Sequence, residues 1–175
     1  MPNLAYLYHK IISKKLSYPV PQANRSKSRI IGDPPSKQFP MDFFDGAAAD
    51  SKGGVGVCIW ISEQHFIDLK LGYGCSTNTR AELLALWALL SIAKDIGLPY
   101  LHIFGDSSMI INWARDESTL TIVNLEAWCN NTKKLISSFT SVDFCHVYRE
   151  YNMRADSLSK DGLLMAWPSF FYGIL

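Results

Sequence analysis

Four acidic residues lie in distinct local contexts, and together they could carry out chemistry. They are Asp45 in MDFFDGA, Glu82 in TNTRAELLAL, Asp106 in LHIFGDSSMII and Asp156 in YNMRADSLSK. An ionised carboxylate is costly to bury without a partner, so a fold that gathers several of them usually does so around cations. Hard oxygen ligands without paired His or Cys ligands favour Mg²⁺ or Mn²⁺. The four acids therefore predict one site for divalent ions.

The strands that would position the first acid come early in the chain. MDFFDGA is predicted as a short strand, AADSKGG as a turn, and VGVCIWIS and HFIDLKLGYG as the second and third strands. The whole order is β-β-β-α-β-α-α-β-α, three meander strands followed by alternating helices and strands. Crossovers after the third strand favour a mixed sheet. We therefore predict an α/β fold with a mixed five-stranded sheet and helices on both faces.

The clearest helix lies between Thr77 and Gly97, where apolar residues recur at helical spacing. Thr77 or Asn78 can cap its start, and the sequence GLP ends it. After it, YLHIFGD is predicted as a buried strand and SSMIINWAR as a short helix. IVNLEAWCNNTKKLISSF is predicted as a long helix, SVDFCHVYRE as a strand and YNMRADSLSKDGLLMAW as a final amphipathic helix. The last two acids thus close a strand and begin a helix.

Composition indicates a single globular domain. The chain has 175 residues, 48% of them hydrophobic, which is enough to bury a sizeable core. Its four cysteines lie far apart and form no CxxC pair, so we expect them to be reduced, as in the cytoplasm or nucleus. No apolar run approaches the ~20 residues that span a bilayer, and the N-terminus lacks the pattern of a secretory signal. We expect a soluble monomer without membrane association, in the nucleus or cytoplasm.

Charge is distributed unevenly along the chain. Residues 1–40 contain seven Lys and Arg against one Asp, which gives +6, so the remainder carries −5 of the overall +1. This first segment is rich in Pro and Ser and lacks periodicity, which predicts a flexible basic leader at 1–40. The domain is predicted at 41–166, with a short C-terminal tail at 167–175. The leader could attract the phosphates of nucleic acid, or it could be a solvated tail with incidental lysines.

The acidic motifs resemble those of the type 1 ribonuclease H family. The matching components are FFDGA followed by KGGVGV, then TNTRAELLAL, GDSSMIIN and HVYREYNMRADSLSK. They cover roughly residues 41–165, and they most resemble the ribonuclease H-like domain of plant retrotransposon-derived reverse transcriptases. Each piece alone is a weak signal, but four in this order, each in the expected element, form a specific one.

The resemblance implies a catalytic role for the acids. Asp45, Glu82, Asp106 and Asp156 match the family's four catalytic carboxylates, which hold two divalent ions at the scissile phosphate. Mg²⁺ is the expected ion, with Mn²⁺ as an alternative, and two ions ~4 Å apart make a nucleophilic side chain unnecessary. Three of the acids have an ordinary explanation as residues near helix starts. Asp45, among aromatic residues in a strand, is the hardest to explain in that way.

Small and polar residues beside the acids are implied to meet the substrate. The candidates are Gly46, Asn78, Arg80, Ser107 and His146. Gly46 would allow close approach of a backbone, and Asn78 matches a family position that contacts sugar–phosphate groups, although it could be only a helix cap. Ser107 could likewise be only a helix-start hydroxyl. Such groups would distinguish RNA from DNA through the 2′-hydroxyl.

Two departures from the family pattern bear on activity. Many type 1 enzymes have a mobile histidine before the last aspartate, and His146 lies at that spacing without gaps. In the alternative alignment, which we slightly favour because FCHV is strand-like, Arg149 or Glu150 takes the position. The basic helix that some members use to grip the hybrid is also missing, and Lys133 and Lys134 replace little of it. Weak or leader-dependent substrate binding is expected.

These features predict an endonuclease that hydrolyses the RNA strand of RNA–DNA hybrids with two metal ions. One alternative is a retroelement-derived nucleic-acid-binding or interaction module that keeps the fold but has weak or no catalysis. Another is a DNA-cutting nuclease or transposase of the same superfamily. The four intact acids favour the enzyme, and the AELLAL context favours type 1. Because one fold hosts many functions, the prediction depends on the site.

Overall fold

A mixed six-stranded sheet with helices packed on both faces forms the protein. The computed structural model describes residues 39–121, 125–165 and 169–174, so the predicted leader lies almost wholly outside the described residues. Its elements in chain order are β1 (Met41–Ala49), β2 (Lys52–Trp60), β3 (Phe66–Tyr73), α1 (Asn78–Asp95), β4 (Tyr100–Gly105), α2 (Ser108–Ala114), α3 (Glu126–Ile136), β5 (Ser141–His146), a 3₁₀ turn (Arg149–Tyr151), α4 (Met153–Leu163) and β6 (Ser169–Ile174).

The strands lie in the order β5-β4-β1-β2-β3-β6. Strands β1 to β3 form an antiparallel meander, whereas β4 pairs in parallel with β1, and β5 in parallel with β4. The predicted α/β fold with a mixed five-stranded sheet is confirmed. A sixth strand, β6, pairs antiparallel with β3 and lies in the segment that we predicted as a tail. Its sequence SFFYGI is rich in aromatic residues, which favour strands, and β3 offers it an open edge.

Helix bounds agree with the predicted pattern at several ends. Thr77 caps α1, since its hydroxyl accepts a hydrogen bond from the Arg80 amide at 3.3 Å, and Gly97 ends it in the left-handed conformation. The predicted start of the α3 segment falls on residues 122–124, outside the described residues. None of the described helices has both the length and the apolar character needed to cross a membrane.

The first hairpin is tighter than we predicted. Only Asp50 and Ser51 form the turn, both at positive φ, a geometry that suits a two-residue hairpin with right-handed strand twist. The predicted turn AADSKGG is therefore wrong in extent: Ala48 and Ala49 still belong to β1, and 52–54 already belong to β2. Gly53 and Gly54 suggested a loop, but both lie in β2, where Gly54 packs closely against α4.

Two hydrophobic clusters lie on opposite faces of the sheet. Gly46 is opposite Val55, on the face that packs against α1, while Asp45 is opposite Gly56, on the face that packs against α4. The larger cluster lies between the sheet and α1, α2 and α3, and a smaller one forms around Phe43 and its neighbours on the α4 side. Of the described helices, only α4 packs on the Asp45 face.

Close contact between α4 and β2 depends on glycine. A Cβ at Gly56 would overlap the backbone oxygen of Ala155 and the backbone nitrogen of Ser159, and one at Gly54 would overlap the Ser159 carbonyl. Backbone atoms cannot rotate away as a side chain can, so a larger residue must push α4 off the sheet. Since α4 carries Asp156, the glycines of β2 also fix the distance from this acid to Asp45.

We predict that Gly56→Ala lowers the free energy of unfolding by about 3 kcal/mol or more, because α4 must shift to admit the methyl group. Gly74→Ala is the matched control, since a Cβ there meets nothing within 4 Å. The control should stay within about 0.5 kcal/mol of the wild type in urea denaturation. Equal stability of the two variants would contradict the proposed role of the glycine.

An unpaired carboxyl group lies in the core. Asp42 is fully buried on β1, and neither of its oxygens has a hydrogen-bond partner among the described residues. Burial raises the pKa of Asp42 to about 8. The His102 backbone opposes this shift in part, although it makes no hydrogen bond of normal geometry with the carboxyl. At neutral pH the group is therefore protonated, which avoids burying an isolated charge.

Asp42 should make stability fall as pH rises. Between its usual pKa of 3.8 and about 8, the folded chain keeps a proton that the unfolded chain has lost. The free energy of unfolding then decreases by on the order of 1 kcal/mol per pH unit from this group alone. Asp42→Asn should remove that contribution, so denaturation at pH 5 to 8 should show a shallower slope than in the wild type. Asp95→Asn, an exposed control, should leave the slope unchanged.

Candidate active site

Three of the four predicted acids meet at one place. Asp45 is buried on β1, Glu82 lies in the second turn of α1, and Asp106 directly follows β4. One carboxylate oxygen from each lies within 4.8 Å of the other two, close enough to share a cation. The structure therefore brings these three side chains together, as the sequence predicted.

The strand register explains how the acids meet. Strand β4 pairs with β1 at Phe43 and Phe104 and then ends at Gly105, so the parallel register brings Asp106 next to Asp45. Beyond that point β1 continues to Ala49 without a neighbour on its β4 side. The end of one strand beside a longer one thus opens the site.

Helix α1 pairs with the exposed edge of β1. The amide of Gly46 donates to Glu82 Oε2 at 3.2 Å, and the amide of Ala48 donates to Asn78 Oδ1 at 3.1 Å. Alternate residues of a strand point their amides to the same edge, so both side chains satisfy donors that β4 leaves free. Asn78 therefore does not cap α1. Its side chain ties the helix to the strand that carries Asp45.

Gly46 makes this approach of α1 to the strand sterically allowed. A Cβ at this position would overlap backbone atoms of Ala81 and Glu82. The sequence predicted that Gly46 admits a close approach of the substrate, whereas in the structure the space next to it is taken by α1. Its function here is to let Glu82 reach the Gly46 amide.

Two residues that the sequence analysis missed hold the acids in place. The Ser159 hydroxyl hydrogen-bonds to Asp45 Oδ2 and also lies 2.9 Å from the Asp156 carbonyl. Buried Asn152 donates through Nδ2 to the Phe44 carbonyl at 2.9 Å and to Asp106 Oδ1 at 3.2 Å. Ser159 is three residues after Asp156, on the same face of α4, and this spacing was a signal that could have revealed it.

The fourth acid, Asp156, lies near the other three, but its carboxylate is bound by basic side chains. Asp156 is buried near the start of α4, and its charge contributes to raising the pKa of Asp45. Arg149 donates to its Oδ1 through Nε at 2.9 Å and through Nη2, and Lys160 binds its Oδ2. Both oxygens of Asp156 are thus paired with protein cations. Among the described residues, the cluster that could hold a metal contains only the other three acids.

Burial and mutual repulsion dominate the electrostatics of the cluster. Burial raises the pKa of Glu82 to about 9, and the charges of Asp45 and Asp106 add to that shift. Burial likewise raises the pKa of Asp45 to about 6, against the opposing hydrogen bond from Ser159. Burial would also raise the pKa of Asp156, but Lys160 and Arg149 outweigh it and hold that pKa below its usual range. Such perturbed acids are typical of functional sites.

The other candidate substrate residues lie on α1, just before α2 and at the end of β5. Arg80 is exposed on the first turn of α1, and Ser107 precedes α2 without a side-chain capping bond. His146 ends β5 and is exposed, with Nε2 3.2 Å from the Asp106 carbonyl oxygen. His146 therefore lies beside the acids, whereas Arg149 is bound to Asp156. Of the three residues that the alignments offered for the mobile histidine, His146 and Arg149 thus contact the site.

Lys133 of α3 provides little free charge for a substrate. Lys133 Nζ binds the carbonyls of Trp113 at 2.8 Å and Ala114 at 3.1 Å, together with Asp116 at 2.6 Å. It therefore holds the C-terminal end of α2. Between β4 and β5 the described residues form only the short α2 and the eleven-residue α3, in agreement with the predicted lack of an added basic helix.

The family follows from comparison with known proteins. A family model described as reverse transcriptase-like matches residues 43–162. The chain belongs to this family. A curated relative, ribonuclease HI of Halobacterium salinarum, is 30% identical over 129 residues, which are 69% of this chain and 62% of the relative. The chain thus spans less than two thirds of that relative.

Solved structures agree with this placement. The crystal structure of ribonuclease H1 from Halobacterium salinarum has a TM-score of 0.67 and 26% identity over 73% of this chain and 98% of that one. LC11-RNase H1, solved in complex with an RNA/DNA hybrid, has a TM-score of 0.64 and 21% identity over 70% of this chain and 95% of that one. The predicted membership of the type 1 ribonuclease H family is confirmed. The plant and retrotransposon origin stays a prediction.

The residues of this ribonuclease H domain suit a divalent ion. Three carboxylates supply hard oxygen donors within 4.8 Å of one another, and their repulsion is what a cation would relieve. Asp45, Glu82 and Asp106 would hold such an ion. Asp156 could bind a second ion only if that ion competed with Arg149 and Lys160 for its carboxylate.

The charge state of Glu82 should make the metal-free domain less stable as pH rises. The folded chain holds its proton between pH 4.5 and about 9, while the unfolded chain releases it near 4.5. Stability is therefore lost steadily across that window, by on the order of 1 kcal/mol per pH unit from this group. Glu82→Gln should flatten the slope in EDTA between pH 5 and 8.

Denaturation curves with and without Mg²⁺ would check this expectation. Mg²⁺ should stabilise the wild type more than the variant, because a ligand that binds only the folded state adds to its stability. Glu63→Gln, an exposed acid outside the cluster, is the control and should behave like the wild type. Parallel slopes for wild type and Glu82→Gln would show that Glu82 titrates normally.

Proposed function

We propose that this domain hydrolyses the RNA strand of RNA–DNA hybrids as an endonuclease, with two divalent ions. The observation that carries the proposal is the cluster of Asp45, Glu82 and Asp106 at the exposed end of the sheet of a type 1 ribonuclease H fold. The ribonuclease HI relative supports the reaction, and a neighbour with the same fold is solved with an RNA/DNA hybrid. Mg²⁺ is the proposed ion, with Mn²⁺ as a substitute.

The residues of the site would position the ion and supply the negative charge that binds it. Asp45, Glu82 and Asp106 would hold the ion, with Ser159 fixing Asp45 and Asn152 fixing Asp106. Divalent ions at such a site activate the attacking water and stabilise charge on the scissile phosphate. The cluster is closed on the α1 and α4 sides by close backbone packing, so a substrate would approach from the side of Asp106 and His146.

The substrate contacts are proposed at the same side. Arg80 is exposed on α1 two residues before Glu82, His146 is exposed beside Asp106, and Ser107 is half-buried at the start of α2. Such groups can bind sugar and phosphate, and a 2′-hydroxyl contact would favour RNA over DNA in the cleaved strand. We propose the histidine role for His146, Arg149 or Glu150, and the contacts of His146 with Asp106 and of Arg149 with Asp156 support the first two.

We also propose a binding partner and a cellular compartment for the domain. All four cysteines are free, which supports a reducing compartment such as the nucleus or cytoplasm. We propose that the domain acts as a monomer on nucleic acid without a membrane partner. The basic charge of residues 1–40 supports a contribution from that segment to phosphate binding.

Asp106→Asn should separate the fold from the activity. The substitution removes a charge but little volume, so cleavage of a labelled RNA–DNA hybrid with Mg²⁺ should fall by several orders of magnitude. Thermal melts in EDTA should show an unchanged or higher Tm, because repulsion within the cluster is relieved. Asp143→Asn, an exposed acid on β5, should keep both activity and stability.

Single-stranded RNA and duplex DNA provide the substrate controls. Neither should be cut under conditions that cleave the hybrid. Should the wild-type protein bind Mg²⁺ and the hybrid without cutting it, under conditions where a known ribonuclease H does, the enzymatic proposal fails. The interaction module that keeps the fold would then be the function.

A further inference from the structure

The residues after β5 alternate between the core and the surface. Val147 is buried in the smaller hydrophobic cluster, and its amide donates to the Gly105 carbonyl at 3.0 Å. The flanking His146 and Tyr148 are exposed, and the backbone stays extended, with Tyr148 at φ −70° and ψ 152°. Alternate residues of an extended chain lie on the same side. The buried valine therefore directs the two flanking rings to one surface, next to Asp106.

The two rings contact each other. The His146 imidazole and the Tyr148 phenol ring are arranged edge to face, with centroids 6.2 Å apart and ring planes at 68°. Aromatic pairs of this kind are favourable beyond the area that they bury, by enough to shift a conformational equilibrium roughly two- to tenfold. The Tyr148 side chain is 49% exposed, so its removal should leave the core intact.

The imidazole also contacts the backbone beside the acids. Nε2 of His146 lies 3.2 Å from the Asp106 carbonyl oxygen. A carbonyl oxygen can only accept, so Nε2 must carry the proton in this contact. A single hydrogen bond leaves an exposed side chain free to change rotamer, whereas the contact with Tyr148 adds a second restraint.

The backbone of Tyr148 is fixed on both sides. The residue before it is tied to the end of β4, and Arg149 after it donates to Asp156 through Nε at 2.9 Å. The Tyr148 carbonyl accepts from the Tyr151 amide at 2.9 Å, which forms the 3₁₀ turn. Tyrosine has only two side-chain torsions, so a ring on a fixed backbone can restrain a neighbour at a small cost in conformational entropy.

We propose that Tyr148 is a positioning residue, whose ring holds the His146 imidazole against the Asp106 carbonyl, beside the acid cluster. Without this ring, the imidazole turns away from Asp106 for a larger fraction of the time. The orientation is a property of the free protein and needs neither metal nor substrate. Its consequence for cleavage rests on the proposed function, in which His146 is a candidate for the histidine role.

Hydrogen exchange of the imidazole tests the proposal without cleavage. In ¹⁵N NMR spectra of the full-length protein, His146→Gln identifies the signals of that ring among the four histidines. Exchange of the Nε2 proton with water should be about fivefold faster in Tyr148→Ala than in the wild type, because the hydrogen bond opens more often. Tyr148→Phe keeps the ring and should exchange like the wild type. Tyr100→Ala, which changes an exposed tyrosine on β4, should do the same.

Two results would overturn the proposal. One is equal Nε2 exchange in the wild type and Tyr148→Ala, and the other is a wild-type His146 that carries its proton on Nδ1. Thermal melts establish that each variant is folded, and Tyr148→Leu replaces the alanine variant if that one is not. Backbone amide exchange in the core should be equal in all variants, which separates a change at this one ring from a general loss of stability.

Cleavage kinetics provide a second test, which depends on the proposed function. Tyr148→Ala should lower kcat about fivefold and change KM less. It should have no further effect in a His146→Ala background, because the tyrosine acts through that ring. Weaker hybrid binding that persists in this background would show direct contact of Tyr148 with nucleic acid and overturn the positioning role. A wild type that fails to cut the hybrid counts against the proposed function alone, since the exchange experiment involves no substrate.

Discussion

Repulsion between carboxylates is the interaction around which the rest of this structure is arranged. Asp45, Glu82 and Asp106 present oxygens within 4.8 Å of one another; Asp45 is buried, and the other two are partly buried. Burial and mutual charge make ionisation unfavourable, as the raised pKa values of Asp45 and Glu82 show. Packing elsewhere must supply the free energy that keeps them together. The site is thus stable only as part of the whole fold.

Close contacts between backbones, more than contacts between side chains, keep the three acids together. Gly46 lets α1 contact β1, and Gly56 lets α4 contact β2, so two helices approach the sheet from opposite faces at nearly the same level. Helix α1 also hydrogen-bonds to the free edge of β1 through Glu82 and Asn78. Glu82 therefore has two roles: its carboxylate would bind the ion, and it accepts a hydrogen bond from the edge of β1.

Much of this arrangement could be predicted from sequence, because each acid lies next to an element with a clear pattern. The apolar runs before Asp45 and Asp106 and the helical spacing after Glu82 fix those positions without knowledge of the tertiary structure. Ser159 and the partners of Asp156 could not be placed so easily. Their contacts depend on how α4 is rotated against β2, and that rotation is set by glycines whose pattern resembled a turn.

Strand β6 also shows that a local sequence pattern does not determine which strands pair. The segment 169–174 is short and follows the last helix; its aromatic residues favour a strand but do not specify which strand it pairs with. What decides its structure is the edge of β3, which would otherwise present free backbone groups. Pairing of this kind depends on a neighbour that lies about a hundred residues earlier in the chain.

That late strand has a practical consequence for work with the protein. The family model ends at residue 162, yet a fragment cut there would leave β3 as the rim of the sheet. An exposed edge strand can pair with the edge strand of another molecule, which promotes precipitation during purification. Recombinant versions of this domain should therefore keep the chain through Ile174, so that β6 covers the edge of β3.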